Sequence, residues 1–105
     1  MAAPYNPPTK GEDFLIRISL EDYTNPGNFK SNPTIAPGDF KFDLDGAGLS
    51  NLNTTPSVSP AASVLVLLTL SSTETDGGVV TVVGIDQTSP KEWSDFVLSI
   101  PTSSS

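Results

Sequence analysis

Residues 39–45, DFKFDLD, alternate Phe40, Phe42 and Leu44 with Lys41 and Asp43. A period of two sends successive side chains to opposite faces of an extended chain, so the stretch reads as a β-strand with an apolar inner face and a charged outer one. DFLIRISL at residues 13–20 repeats the pattern, with Phe14, Ile16, Ile18 and Leu20 on one face and Leu15, Arg17 and Ser19 on the other. SVLVLLTL at residues 63–70 is almost continuously apolar, the pattern of a strand covered on one face by its own core and on the other by a partner. VVTVVGID at residues 79–86 is rich in β-branched side chains. EWSDFVLSI at residues 92–100 alternates Phe96, Leu98 and Ile100, and Pro101 is expected to stop it. A short, weak strand is expected within residues 49–53.

Turn chemistry separates these runs. Asp45-Gly46-Ala47-Gly48 and residues 87–90 are turns, and residues 71–78 form a polar loop with room for one helical turn. Residues 21–38 contain Pro26, Pro33 and Pro37 and are too long for a hairpin, so they cross between sheets or protrude. Ten prolines and eight glycines in 105 residues leave no run fit for a helix of ordinary length. The expected fold is all-β: a single immunoglobulin-like antiparallel β-sandwich over residues 13–101. An extended Pro-rich N-terminal arm, residues 1–12, precedes it, and a short polar tail, residues 102–105, follows it.

Composition excludes several functions. The net charge of −7 repels phosphate backbones, so no nucleic acid is expected as a partner. A partner surface is expected to be neutral or basic. There is no cysteine and no histidine. Disulfides, thiolate metal sites and Ser-His-Asp or Cys-His catalysis are therefore ruled out, and the chain is read as non-enzymatic, without catalytic residues, cofactor or small-molecule substrate. Residues 1–10, MAAPYNPPTK, lack the basic start and apolar run of a signal peptide, so export by a signal peptide is not expected. The longest apolar run, residues 64–68, is too short to span a bilayer, and no membrane role is expected.

The acidic residues Asp39, Asp43 and Asp45 lie close in sequence, and Asp43-Leu44-Asp45-Gly46 has a superficial likeness to a calcium loop. The positions after Gly46 are Ala, Gly, Leu and Ser, which lack the further oxygen ligands and the closing Glu of such a loop. At most a weak cation site would form, and no metal is assigned. The pairs Glu12-Asp13 and Glu21-Asp22 bracket the first strand, where charges discourage edge-to-edge aggregation. The candidates for partner binding are Pro4, Tyr5, Pro7, Pro8 and Lys10 in the arm, and the aromatic residues Tyr23, Phe29 and Trp93. A lone Trp in a sandwich also has a core reading.

A series of short motifs over residues 13–100 carries a resemblance. LTLSSTE at residues 68–74 is followed by a β-branched strand and then by DQTSPKEWSD at residues 86–95. PTIAPGDF at residues 33–40 comes earlier. The series resembles a family of small structural proteins of tailed bacteriophages, in which an LSATEM-like segment precedes a strand, a GAEWDD- or APKEWED-like segment leads into the last strand, and PTIAAGDF opens the middle. Residues 43–53 depart from that family's usual SKDGGAFANL run. The resemblance implies a virion component, and the free-standing size with an N-terminal arm points to a capsid decoration, or cement, protein. Such a protein binds the exterior of the shell built by the major capsid protein, often as a trimer with neighbouring copies, and would be assembled in the host cytoplasm. The alternatives are a tail, neck or fibre-associated structural protein, and a host-surface or carbohydrate-binding module using Tyr23, Phe29 and Trp93 as an exposed aromatic row.

Overall fold

The computed structural model describes residues 8–103. Seven strands form: β1 (Phe14–Ser19), β2 (Phe40–Leu44), β3 (Leu49–Asn51), β4 (Ser57–Val58), β5 (Leu65–Leu70), β6 (Val79–Gly84) and β7 (Phe96–Pro101). They make two antiparallel sheets, ordered β1-β5-β4 and β3-β2-β6-β7. There is no helix among the described residues. The fold is all-β, with the layering of a β-sandwich. Residues 20–39 carry the chain from the first sheet to the second, as one of the two expected routes required.

The alternation read from sequence is the one that packs. Phe14, Ile16 and Ile18 lie opposite Leu70, Leu68 and Val66 on the inner face of the first sheet. Phe42 and Leu44 lie opposite Val82 and Val80, which in turn face Leu98 and Ile100, on the inner face of the second. Val66, Leu68, Leu70, Val80 and Val82 are fully buried, and Leu20, Phe40, Leu52, Trp93 and Ile100 complete the core. Leu65, Leu67 and Thr69, on the outer face of β5, are only half-buried. The chain itself therefore covers one face of that strand, not both.

Strand limits differ from the sequence reading where side chains take backbone donors out of the ladder. Residues 63 and 64 stay outside β5 because the Ser63 hydroxyl accepts the Leu65 N–H at 3.1 Å. β7 begins at Phe96, since the N–H groups of Glu92 and Trp93 are bound by the Asp86 carboxylate. Pro101 belongs to β7 instead of stopping it. The next N–H, of Thr102, points at Gly78 O on the β6 side, so the nitrogen of Pro101 faces the outer edge, where a missing donor costs no ladder bond.

Gly84 is required by close approach. A Cβ there would sit 2.8 Å from the Phe40 ring, which stacks on Trp93 with centroids 5.3 Å apart. Gly84→Ala is expected to push that ring pair out of register and to lower stability by about 1–3 kcal/mol. Urea unfolding would show the loss as a lower midpoint at unchanged slope.

Candidate partner-binding surface

The residues expected to meet a partner fall into three groups. Pro4, Tyr5 and Pro7 lie outside the described residues. Pro8 and Lys10 are described and are tied to the body. Ser103 N–H donates to Pro8 O at 2.8 Å, and Lys10 N–H donates to Ser103 O at 2.9 Å, making a parallel bridge between Thr9 and Ser103. Gly11 N–H donates to Thr75 O, and the Thr75 hydroxyl donates to Glu12 O at 2.7 Å. Pro8 is buried and Lys10 is exposed. Thr102, assigned by sequence to the tail, is also anchored, its N–H donating to Gly78 O and its hydroxyl to Gly77 O.

Tyr23 and Phe29 are the second group. Both stand on the loop after β1, exposed by 53% and 65%. The loop is built by its own carboxylates. Asp22 accepts from the Thr24 hydroxyl at 2.9 Å and from the N–H groups of Thr24 and Asn25, and Glu21 accepts from Gly27 N–H at 3.0 Å. The Thr24 hydroxyl, with those two amides and the Lys30 charge, holds the Asp22 carboxyl below its ordinary value against the smaller opposing effect of burial. Lys91 lies 5.4 Å from the Tyr23 ring centroid and pairs with Asp95 at 2.6 Å, the only ion pair among the described residues. That bond raises the Lys91 ammonium above its ordinary value.

Trp93 stands alone and corrects one expectation. It is fully buried, stacked on Phe40, with its indole N–H donating to Thr34 O at 3.1 Å. It is a core residue and offers no surface to a partner. Its backbone is held by Asp86, which is 6% exposed and whose Oδ2 accepts from Glu92 N–H at 2.6 Å and Trp93 N–H at 3.2 Å. Oδ1 accepts from Thr88 N–H at 2.8 Å. Burial pushes the Asp86 carboxyl up, but the Thr88 hydroxyl and the three amides together outweigh it and leave the group below its ordinary value.

The acidic trio does not converge. Asp43 accepts from Gly46 and Gly48 N–H, and Asp45 from Val79 and Gly78 N–H, which hold its carboxyl low. Asp39 is buried, with one oxygen on Ala36 N–H and the other without a partner. Among the described residues no group of three or more acids is placed to hold a metal ion.

Two polar devices escaped the sequence reading, although both have local signals. Ser71-Ser72-Thr73-Glu74 holds the Glu half of a capping box: Glu74, fully buried, accepts from Ser71 N–H at 2.7 Å, while the N–H groups of Glu74 and Thr75 both donate to the Ser71 backbone carbonyl and close one turn. The other oxygen of the Glu74 carboxylate accepts from Asn53 N–H at 2.8 Å and fixes the neighbouring loop. Asp86-x-Thr88 is an Asx turn. Compared with family models, with curated proteins and with solved structures, the chain matches none.

Proposed function

We propose that the chain is a structural component of a tailed-bacteriophage virion, and within that class a capsid decoration protein that binds the outer surface of the major capsid shell together with neighbouring copies of itself. One observation carries the reading. The polar and aromatic side chains of the resembling motifs are spent on architecture: Glu74 caps a turn, Asp86 holds the Trp93 backbone, Trp93 fills the core and Asp39 ties its own turn. A module whose recognisable motifs build the fold is left to act through its outer surface and its N-terminal segment, which is how a decoration protein acts. Many weak copies on a lattice add through multivalency.

The immunoglobulin-like form of the sandwich belongs to the same proposal. It is supported by the strand order, in which β2, β6 and β7 carry the extra edge strand β3 and β5 lies between β1 and β4. The host-adhesion alternative retains Tyr23 and Phe29 but loses Trp93 from its aromatic row.

Co-sedimentation of the purified protein with expanded, undecorated phage heads and, separately, with purified tails tests the reading. Saturable binding to heads is expected. A chain lacking residues 1–7 is expected to keep its thermal transition and lose at least most of that binding. Binding to tails alone, or to neither, would overturn the capsid assignment.

A further inference from the structure

The outer face of the second sheet is rich in apolar side chains. Alternation from the buried Phe40, Val80, Val82 and Ile100 turns Leu49, Val79, Val83 and Val97 outward, with Thr81 and Ser99 between them. Val97 is 66% exposed, more than any other large apolar side chain among the described residues, and Leu49 is 54% exposed. The Thr81 and Ser99 hydroxyls lie 3.1 Å apart and are hydrogen-bonded to each other, which offsets the loss of water when the face is covered. A face of this kind takes a second sheet about 10 Å away, with the two strand directions within about 30°.

Charge selects which sheet. Lys41 and Asp43 are the only ionised side chains that the strands place on this face, and they are opposite in sign. Two residues apart on β2, they stand about 7 Å from each other and form no ion pair, the Lys91–Asp95 pair being the only one among the described residues. Each keeps bonding capacity. Lys41 Nζ donates to Asn51 Oδ1 at 2.6 Å and has donors left. Asp43 accepts Gly48 N–H on one oxygen and Gly46 N–H on the other, which leaves a lone pair on each.

We propose that this face binds the same face of a second copy, about a two-fold axis that lies in the interface, crosses β2 at a right angle and passes between Lys41 and Asp43. The axis reverses β2 of the second copy, so each Lys41 stands over the other copy's Asp43. The ion pairs fix the register, and the apolar side chains supply the attraction. Such a self-complementary face matters in a chain of net charge −7, whose copies repel one another in most orientations. The outer face of the first sheet offers no equivalent. Leu15, Leu65 and Leu67 make it apolar, but its one charged strand residue is Arg17, for which a second copy of that face brings no counter-charge. A four-stranded face about 20 Å long has a footprint of roughly 350 Å², less than half of the about 800 Å² per partner of a stable interface. The pair is therefore weak and calls for concentrated protein. The inference stands apart from the virion reading, since the contact needs no shell.

Sedimentation velocity and ¹⁵N amide shifts, both followed from micromolar to millimolar full-length protein, test it. The sedimentation coefficient is expected to rise toward that of a dimer. The amides of Lys41, Val83 and Val97 are expected to shift, while those of Leu15 and Leu67 stay. Val97→Glu and Lys41→Glu, each shown to be folded by a retained cooperative melt, are expected to weaken the association by about tenfold or more, because a two-fold interface meets every substitution twice. A monomer over the whole range, a trimer, or shifts confined to the first sheet would overturn the proposal. So would an association that Lys41→Glu leaves intact, since the charge pairing would then be absent. Binding to phage heads is measured separately, so the two readings fail separately.

Discussion

Trp93→Ala is expected to cost about 3–5 kcal/mol of folding stability. The indole is fully buried, stacks on Phe40 and donates to the Thr34 carbonyl, so its removal opens a cavity, unsupports a ring and strands an acceptor. A loss of that size lowers the melting temperature by about 12 °C or more in a domain of this length, and it approaches the whole stability of a domain with the usual 5–15 kcal/mol. Trp93→Phe, which keeps a ring against Phe40 but not the N–H, should lose clearly less. A thermal melt of the Ala variant indistinguishable from that of the parent would contradict the core assignment.

Asp86→Asn is expected to cost about 3 kcal/mol, although it changes almost no volume. One carboxylate oxygen accepts two N–H groups, of Glu92 and Trp93. Whichever way the amide turns, an NH₂ faces backbone donors, and buried donors lose their acceptor. The parent should also depend on pH through this group. Its folded pKa lies below the ordinary value of 3.8, so the unfolded chain binds the proton more readily. The stabilisation is therefore complete above about 3.8 and is lost as pH falls through the lower folded value. Asp45, also depressed, adds to the same limb with the same sign. Urea melts between pH 7 and pH 2 should show a shallower acid limb for Asp86→Asn than for the parent. Equal slopes would mean that Asp86 contributes nothing to acid unfolding. Because Asp86 holds the backbone of Trp93, the two substitutions should be less than additive when combined.

These two residues mark where sequence reading reached and where it stopped. Period-two alternation in residues 14–20 and 40–44 was legible because a half-buried strand must sort its side chains by face. The core of both sheets follows from it. Strand β4 was not legible: two residues between Pro56 and Pro60 carry no period. Trp93 carried two readings because an indole suits an interface as well as the core where a lone Trp more often sits, and only the position of the Thr34 carbonyl and the Phe40 ring decides. The carboxylates were read as solvated charges or weak ligands. Their true partners are backbone amides, and an amide has no letter in the sequence. Ser71-x-x-Glu74 and Asp86-x-Thr88 were the local signals available. Of the partner-facing candidates, Tyr23 and Phe29 stand exposed on one loop, as such a role requires.

The bridge between Thr9 and Ser103 has a mechanical meaning. Two parallel segments joined side by side, with the chain entering beyond one and leaving beyond the other, are loaded in shear when the two ends are drawn apart along the strand axis. The bonds from Ser103 to Pro8 and from Lys10 to Ser103 then carry the force together, whereas a hairpin pulled at its open end unzips one bond at a time. A tether anchored through both ends of this domain would yield late and abruptly.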